Sequence, residues 1–125
     1  MFGTYLQLGV VAQERDLLED AEDLYRKSLV IREYLRNRPG IAFAYGQIGL
    51  LAEKREHWKE ALAWMVRCVA LFSEFPHPAT GPGPENLSQL AGLLGTSALE
   101  DCWRQVTGQA LPDEVRAYVD AYVRT

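Results

Sequence analysis

Residues 5–35 are written twice, 40 positions apart. Tyr5, Gln7, Gly9, Ala12, Arg15 and Ala21 recur unchanged as Tyr45, Gln47, Gly49, Ala52, Arg55 and Ala61. Between these anchors most changes are mild. Leu8 becomes Ile48, Val11 becomes Leu51, Lys27 becomes Arg67 and Leu29 becomes Val69, while Leu24 becomes Trp64 and Tyr25 becomes Met65. A fixed period of this length is the signature of a repeat architecture, in which each unit buries its apolar face only by stacking on the next. Such stacks usually offer a surface to a partner rather than a pocket for chemistry.

Each copy reads as two helices. In the first, Tyr5, Leu8, Val11 and Ala12 step by three and four, which predicts a helix over about 2–14. Arg15 and Asp16 form a short turn, with Asp16 as N-cap and Glu19 completing a capping-box pattern. A second helix follows to about 36. Leu17, Ala21, Leu24, Ser28, Ile31 and Leu35 form its inward stripe, widened by Leu18, Tyr25 and Leu29. Glu19, Asp20, Glu22 and Asp23 open this helix and Arg32, Arg36 and Arg38 close it, matching the macrodipole. Pro39-Gly40 reads as its stop. The second copy predicts helices over about 41–54 and 57–74, the latter turning Ala61, Trp64, Met65, Cys68, Leu71 and Phe72 inward.

The register then breaks. Residues 76–84 hold four prolines and two glycines and read as an extended surface loop, either a spacer that lets the chain reverse or a polyproline ligand for another domain. Three shorter helices are predicted beyond it, over about 85–94, 97–107 and 112–124. Ser97 and Glu100 suggest a capping box for the middle one, and Gly108 its stop. Trp103 is expected to dock these helices onto the second copy, and Trp64 to sit in the core. No run alternates with period two between turn signals, so no strand is predicted. The expected organisation is two repeats over 1–75, a Pro/Gly-rich loop over 76–84 and closing helices over 85–125.

The repeat resembles the tetratricopeptide repeat family. Tyr5, Leu8, Gly9, Ala21 and Tyr25 match its pattern in the first copy, and Tyr45, Ile48, Gly49 and Ala61 in the second. Ala12 and Ala52 stand where the family usually has an aromatic, Met65 replaces another aromatic, and Ser28 and Cys68 replace a common Ala. The 40-residue period is similar to the longer repeat type of kinesin light chains and many bacterial signalling proteins. The segment from Ser97 to Val115 also resembles those that close such arrays in large bacterial regulatory proteins. The resemblance implies an all-α, right-handed superhelical solenoid of two helical hairpins, closed by about three C-terminal helices. In packing terms, Gly9 and Gly49 let the two helices of a unit approach closely, and Ala21 and Ala61 do so from the other side.

The resemblance also implies a concave groove lined by the first helix of each unit. Carried over by register, its residues are Leu6, Gln7, Val10, Gln13 and Glu14, then Phe43, Gly46, Gln47, Leu50, Glu53 and Lys54. Gln7 and Gln47 would stack at one site, offering amides to a peptide backbone, or serve only as solvated polar residues. A carboxylate clamp of the chaperone-binding kind is not expected, because Leu6 and Val10 stand where it needs polar residues.

The remaining features narrow the function class. Net charge is −4, with acids and bases interleaved, which argues against nucleic acid and anionic membrane surfaces. No apolar run is long enough to span a bilayer, and the first twenty residues carry charges where a signal peptide needs an apolar stretch. Cys68 and Cys102 lack metal-ligand spacing and read as buried reduced thiols of a cytoplasmic protein. His57 and His77 read as surface residues, Glu19 to Asp23 as a solvated helix start, and Gly81-Pro82-Gly83 lacks the strand a phosphate cradle needs. Without a nucleophile–base pair, metal set or cofactor motif, an enzyme is not expected and no cofactor is implied. The expected function is a protein-interaction scaffold that binds a peptide or partner helix in the concave groove, as the C-terminal part of a larger bacterial regulatory or signalling protein. Its rival is an oligomerisation module, a homodimer pairing through the first repeat, whose outer face has no polar cap.

Overall fold

The computed structural model describes Leu8 and residues 18–124. Among these, six α-helices follow in order: α1 (Leu18–Tyr34), α2 (Arg38–Lys54), α3 (Trp58–Val69), α4 (Gly83–Leu94), α5 (Thr96–Thr107) and α6 (Asp113–Arg124). A single 3-10 turn, Pro78–Thr80, precedes α4, and no strand is present among the described residues. The chain is therefore all-α. Apart from Leu8, which is helical and exposed, the predicted first helix, the Asp16 cap of the second and the groove residues Leu6, Gln7, Val10, Gln13 and Glu14 lie outside the described residues.

The family pattern marks the most deeply buried positions. Ala21, Tyr25 and Ser28 of α1 are fully buried, as are Ile48 of α2 and Ala61, Met65 and Cys68 of α3. Gly49 shows why the pattern demands a glycine. A Cβ placed there would stand 2.9 Å from Met65 Cε and 3.2 Å from Trp64 Cβ, inside normal contact distance. The absent side chain is what lets α3 lie directly on α2.

The buried side chains divide into two clusters that meet in α2. One joins Ala21, Tyr25 and Leu29 of α1 to Ile41, Ala44, Ile48 and Leu51 of α2. The other starts at Ala52 of α2 and runs through Leu62, Met65, Val66 and Val69 of α3. It continues through Leu87 and Leu90 of α4, Leu99 and Trp103 of α5, and Val115 and Val119 of α6. Trp103 thus anchors α5 to the second repeat, as expected. Arg116 Nη1 to Glu100 Oε1, 3.0 Å, ties α6 back to α5.

Several local expectations are corrected. Pro39-Gly40 does not stop a helix; it starts one. Asn37 caps α2 by accepting from the Gly40 N–H at 3.1 Å, and Pro39 sits in the first turn, where its missing N–H has no helical partner to lose. Consequently Arg36 lies in the linker, at φ 55°, and Arg38 opens α2 rather than closing α1. Leu35 is exposed and Arg32 is buried in its stead. Arg32 Nε donates to Ser28 Oγ at 3.2 Å, and its Cδ would be 2.8 Å from a Cβ on Gly40, so the glycine admits the arginine. Burial lowers the Arg32 pKa from its ordinary value.

In the second repeat, α3 ends at Val69 rather than near 74, and Leu71 and Phe72 are only half-buried. The Ser97–Glu100 capping box does not form: α5 begins at Thr96 without a side-chain cap, and Glu100 serves Arg116 instead. Trp64 is half-buried, with the guanidinium of Arg67 4.6 Å from its ring centroid and that of Arg26 5.2 Å away. It packs at the edge of the first core cluster and joins the two repeats as a cation-flanked ring.

The Gly49 contact yields a stability prediction. Gly49→Val overpacks the α2–α3 seam and should lose about 2 kcal/mol in urea unfolding. Gly49→Ala should lose clearly less, because Met65 Cε is the free end of a flexible chain. Equal losses for both would show that α3 does not approach α2 this closely.

Candidate functional site

One face of α2 carries Phe43, Gly46, Gln47 and Leu50, spaced by three and four residues. Across from this face runs the chain from Ala79 to Gly83, followed by Asn86 on α4. Between them lies a shallow depression of about 70 Å³. Ala42, Gly46, Gly81 and Gly83 keep its walls low, and Phe43, 43% exposed, stands at the rim. None of the residues lining it is ionisable. Its polar groups are the two side-chain amides, Gln47 and Asn86, the Thr80 hydroxyl and exposed stretches of backbone.

The facing segment was expected to be an extended surface loop. It is instead docked, and α4 begins inside it at Gly83. Thr80, Gly83 and Pro84 are buried. The anchoring starts with aromatic rings. Phe75 meets Tyr118 of α6 edge-on, with centroids 5.4 Å apart, and Phe72 stacks on His77 at 3.9 Å with planes 7° apart. His77 is therefore half-buried rather than a surface histidine. Its Nδ1 accepts from the Ala79 N–H at 3.0 Å, capping the 3-10 turn, and its carbonyl accepts from the Thr80 hydroxyl at 2.6 Å. An imidazole that accepts at Nδ1 carries its proton on Nε2.

Cys68 completes the attachment from α3. Its Sγ lies 4.0 Å from the Thr80 carbonyl, as a weak donor. A Cβ on Gly83 would stand 3.2 Å from Cys68 Sγ and 3.2 Å from Val69 Cγ1. A side chain there would make the thiol or Val69 give way by a few tenths of an ångström, so the glycine favours the close approach of the segment to α3. Burial pushes the Cys68 thiol up to about 11. Cys102 is half-buried rather than buried; desolvation raises its pKa too, with the nearby Arg67 charge acting in the opposite sense. Both cysteines are free thiols.

Of the expected groove residues, Phe43, Gly46, Gln47 and Leu50 come together in the depression. Glu53 and Lys54 lie beyond it at the end of α2, half-buried and exposed respectively. Thr80, Pro82 and Asn86 were not anticipated. Their only signal was the spacing of small residues, Gly81 and Gly83, within the proline run. Among the described residues no cluster of three His, Cys, Asp or Glu side chains has the proximity to hold a metal ion. His57 only approaches Glu60, 3.5 Å away on the exposed first turn of α3.

A tetratricopeptide repeat family model matches residues 1–74, which spans both copies of the echo and more than half of the chain. The protein belongs to the tetratricopeptide repeat family. No curated protein and no solved structure gives a significant match to the chain.

The raised Cys68 pKa has a consequence for stability. Folding favours the neutral thiol, so its contribution is fully present below the unfolded-state pKa and is lost as pH rises towards about 11. Unfolding free energy should therefore fall between about pH 9 and pH 11. Cys68→Ala should flatten that fall, measured by urea unfolding at stepped pH. An unchanged pH profile in the variant would place the thiol in a wetter site than the one described.

Proposed function

We propose that this chain is a protein-interaction scaffold that holds a peptide or partner helix along the face of α2 bearing Phe43, Gly46, Gln47 and Leu50. Tetratricopeptide repeats generally mediate protein–protein interactions, which supplies the class. The observation that carries the site is the exposed Phe43 beside an uncharged trough whose lining includes two amides. An aromatic ring half in water contributes strongly when a partner desolvates it. Side-chain amides lining the trough satisfy a peptide backbone whatever its sequence. The occupant is accordingly a segment with an apolar side chain for Phe43 and few charges where it meets α2.

The trough does not support a catalytic reading, since its lining offers no nucleophile paired with a base. No described helix is long and apolar enough to cross a membrane. A place in a larger bacterial regulatory or signalling protein is part of the proposal, on the resemblance of the 40-residue repeat and of the closing helices.

The test is to select binders from a displayed random-peptide library on the full chain, then measure them against Phe43→Glu and Gln47→Ala. Selected peptides should lose about tenfold or more in affinity for the Phe43 variant and several-fold for the Gln47 variant. Phe43 is exposed, so its replacement should leave the helical circular dichroism unchanged. Peptides that bind both variants as tightly as the wild type would overturn the assignment.

A further inference from the structure

A larger cleft lies elsewhere, between α3 and α5, enclosing about 500 Å³. Its α3 wall is the row Lys59, Ala63 and Arg67, spaced by four residues. By helical register that row lies about half a turn from Ala61, Met65 and Cys68, which pack towards α2. The cleft and the α2 trough are therefore separate surfaces. Its apolar lining is Leu62 and Ala63 from α3 and Ala98 and Val106 from α5. The α5 wall carries Asp101, Cys102 and Gln105.

The charge on this wall is opposite in sign to that of the chain. Net charge overall is −4, yet the cleft holds two cations, Lys59 and Arg67, against the single anion Asp101. Arg67 is held in place over the Trp64 ring, 4.6 Å from its centroid, so it is oriented before any ligand arrives. The cations sit eight residues apart on one helix, about 12 Å along its axis. A row of carboxylates on a helix lying alongside α3 repeats that spacing. A cleft walled by two helices and lined by Leu62, Ala63, Ala98 and Val106 suits the side-chain ridge of a third helix.

We propose that this cleft docks an acidic amphipathic helix of a partner protein. Its small apolar ridge rests on Ala63 and Ala98, and two carboxylates eight residues apart meet Lys59 and Arg67. Asp101 on the facing wall rejects a second acidic row and selects a neutral or basic residue there. Charge complementarity along one wall sets orientation as well as attraction. The proposal is independent of the trough on α2 and uses none of its residues.

Cys102 is a built-in reporter. It lines the cleft and is half-buried, whereas Cys68, the chain's other cysteine, is buried on the opposite side of α3. The probe is an acetylated, amidated alanine- and leucine-rich helical peptide with two glutamates eight positions apart. A matched peptide carries lysines in their place. Maleimide alkylation of Cys102 in the full chain is followed at about pH 8, where Cys68 reacts slowly. The glutamate peptide should slow alkylation about tenfold at saturation and the lysine peptide should not. Lys59→Glu, an exposed substitution that spares the Trp64 contact, should weaken the glutamate peptide about tenfold, and Arg67→Glu should do so as well. Equal protection by both peptides, or by neither, overturns the proposal. Full protection by octanoate alone would make the cleft a small-carboxylate site and also overturn it. Protection that rises with protein concentration without peptide would assign the cleft to a second copy and overturn it likewise.

Discussion

The approach of α3 to α2 at Gly49 is the contact on which the other arrangements rest. It removes one side chain so that Met65 and Trp64 can occupy its space. Two consequences follow from that geometry. Trp64 is brought between Arg26 and Arg67, linking the first repeat to the second. Cys68, one turn beyond, is delivered to Gly46 on one side and to the Thr80 carbonyl on the other. A wider seam would move Cys68 away from the segment that walls the trough.

Two departures from the family pattern acquire a purpose in this light. Ser28 and Cys68 are equivalent by the 40-residue period, and both replace a common Ala. Each attaches the chain that leaves its helix. Ser28 accepts from Arg32, which lies against Gly40 and so fixes the entry to α2. Cys68 touches Thr80 and Gly83, and so fixes the entry to α4. The equivalent of Arg32 is Phe72, which performs the corresponding task with its ring on His77. The echo therefore extends past helix packing to the way each unit hands the chain onward, with different chemistry in each copy.

The same contrast explains which features were legible in the sequence. Residues such as Ala21, Tyr25, Ile48 and Met65 were readable because a helix-packing code repeats and the interval exposes it. Helix ends were less readable, since they turn on single hydrogen bonds. Asn37 converts Pro39-Gly40 from a stop into a start, and nothing in periodicity distinguishes the two. The segment 76–84 differs from its expected form for a related reason. Prolines and glycines forbid an α-helix but do not forbid docking, and the docking depends on Phe72, Phe75 and His77 meeting partners that periodicity does not pair with them. In the trough, the α2 residues followed from register, whereas Asn86 and Thr80 depend on that docking and had no periodic signal.

The proposed binding surface unites the face of α2 with the docked segment opposite. Backbone chemical-shift mapping of the full chain, titrated with a peptide selected for binding, tests this most directly. The predicted result is that the largest changes fall on residues 42–50 and 79–86 together. Changes centred on α6, or on residues 42–50 with 79–86 unmoved, would contradict it.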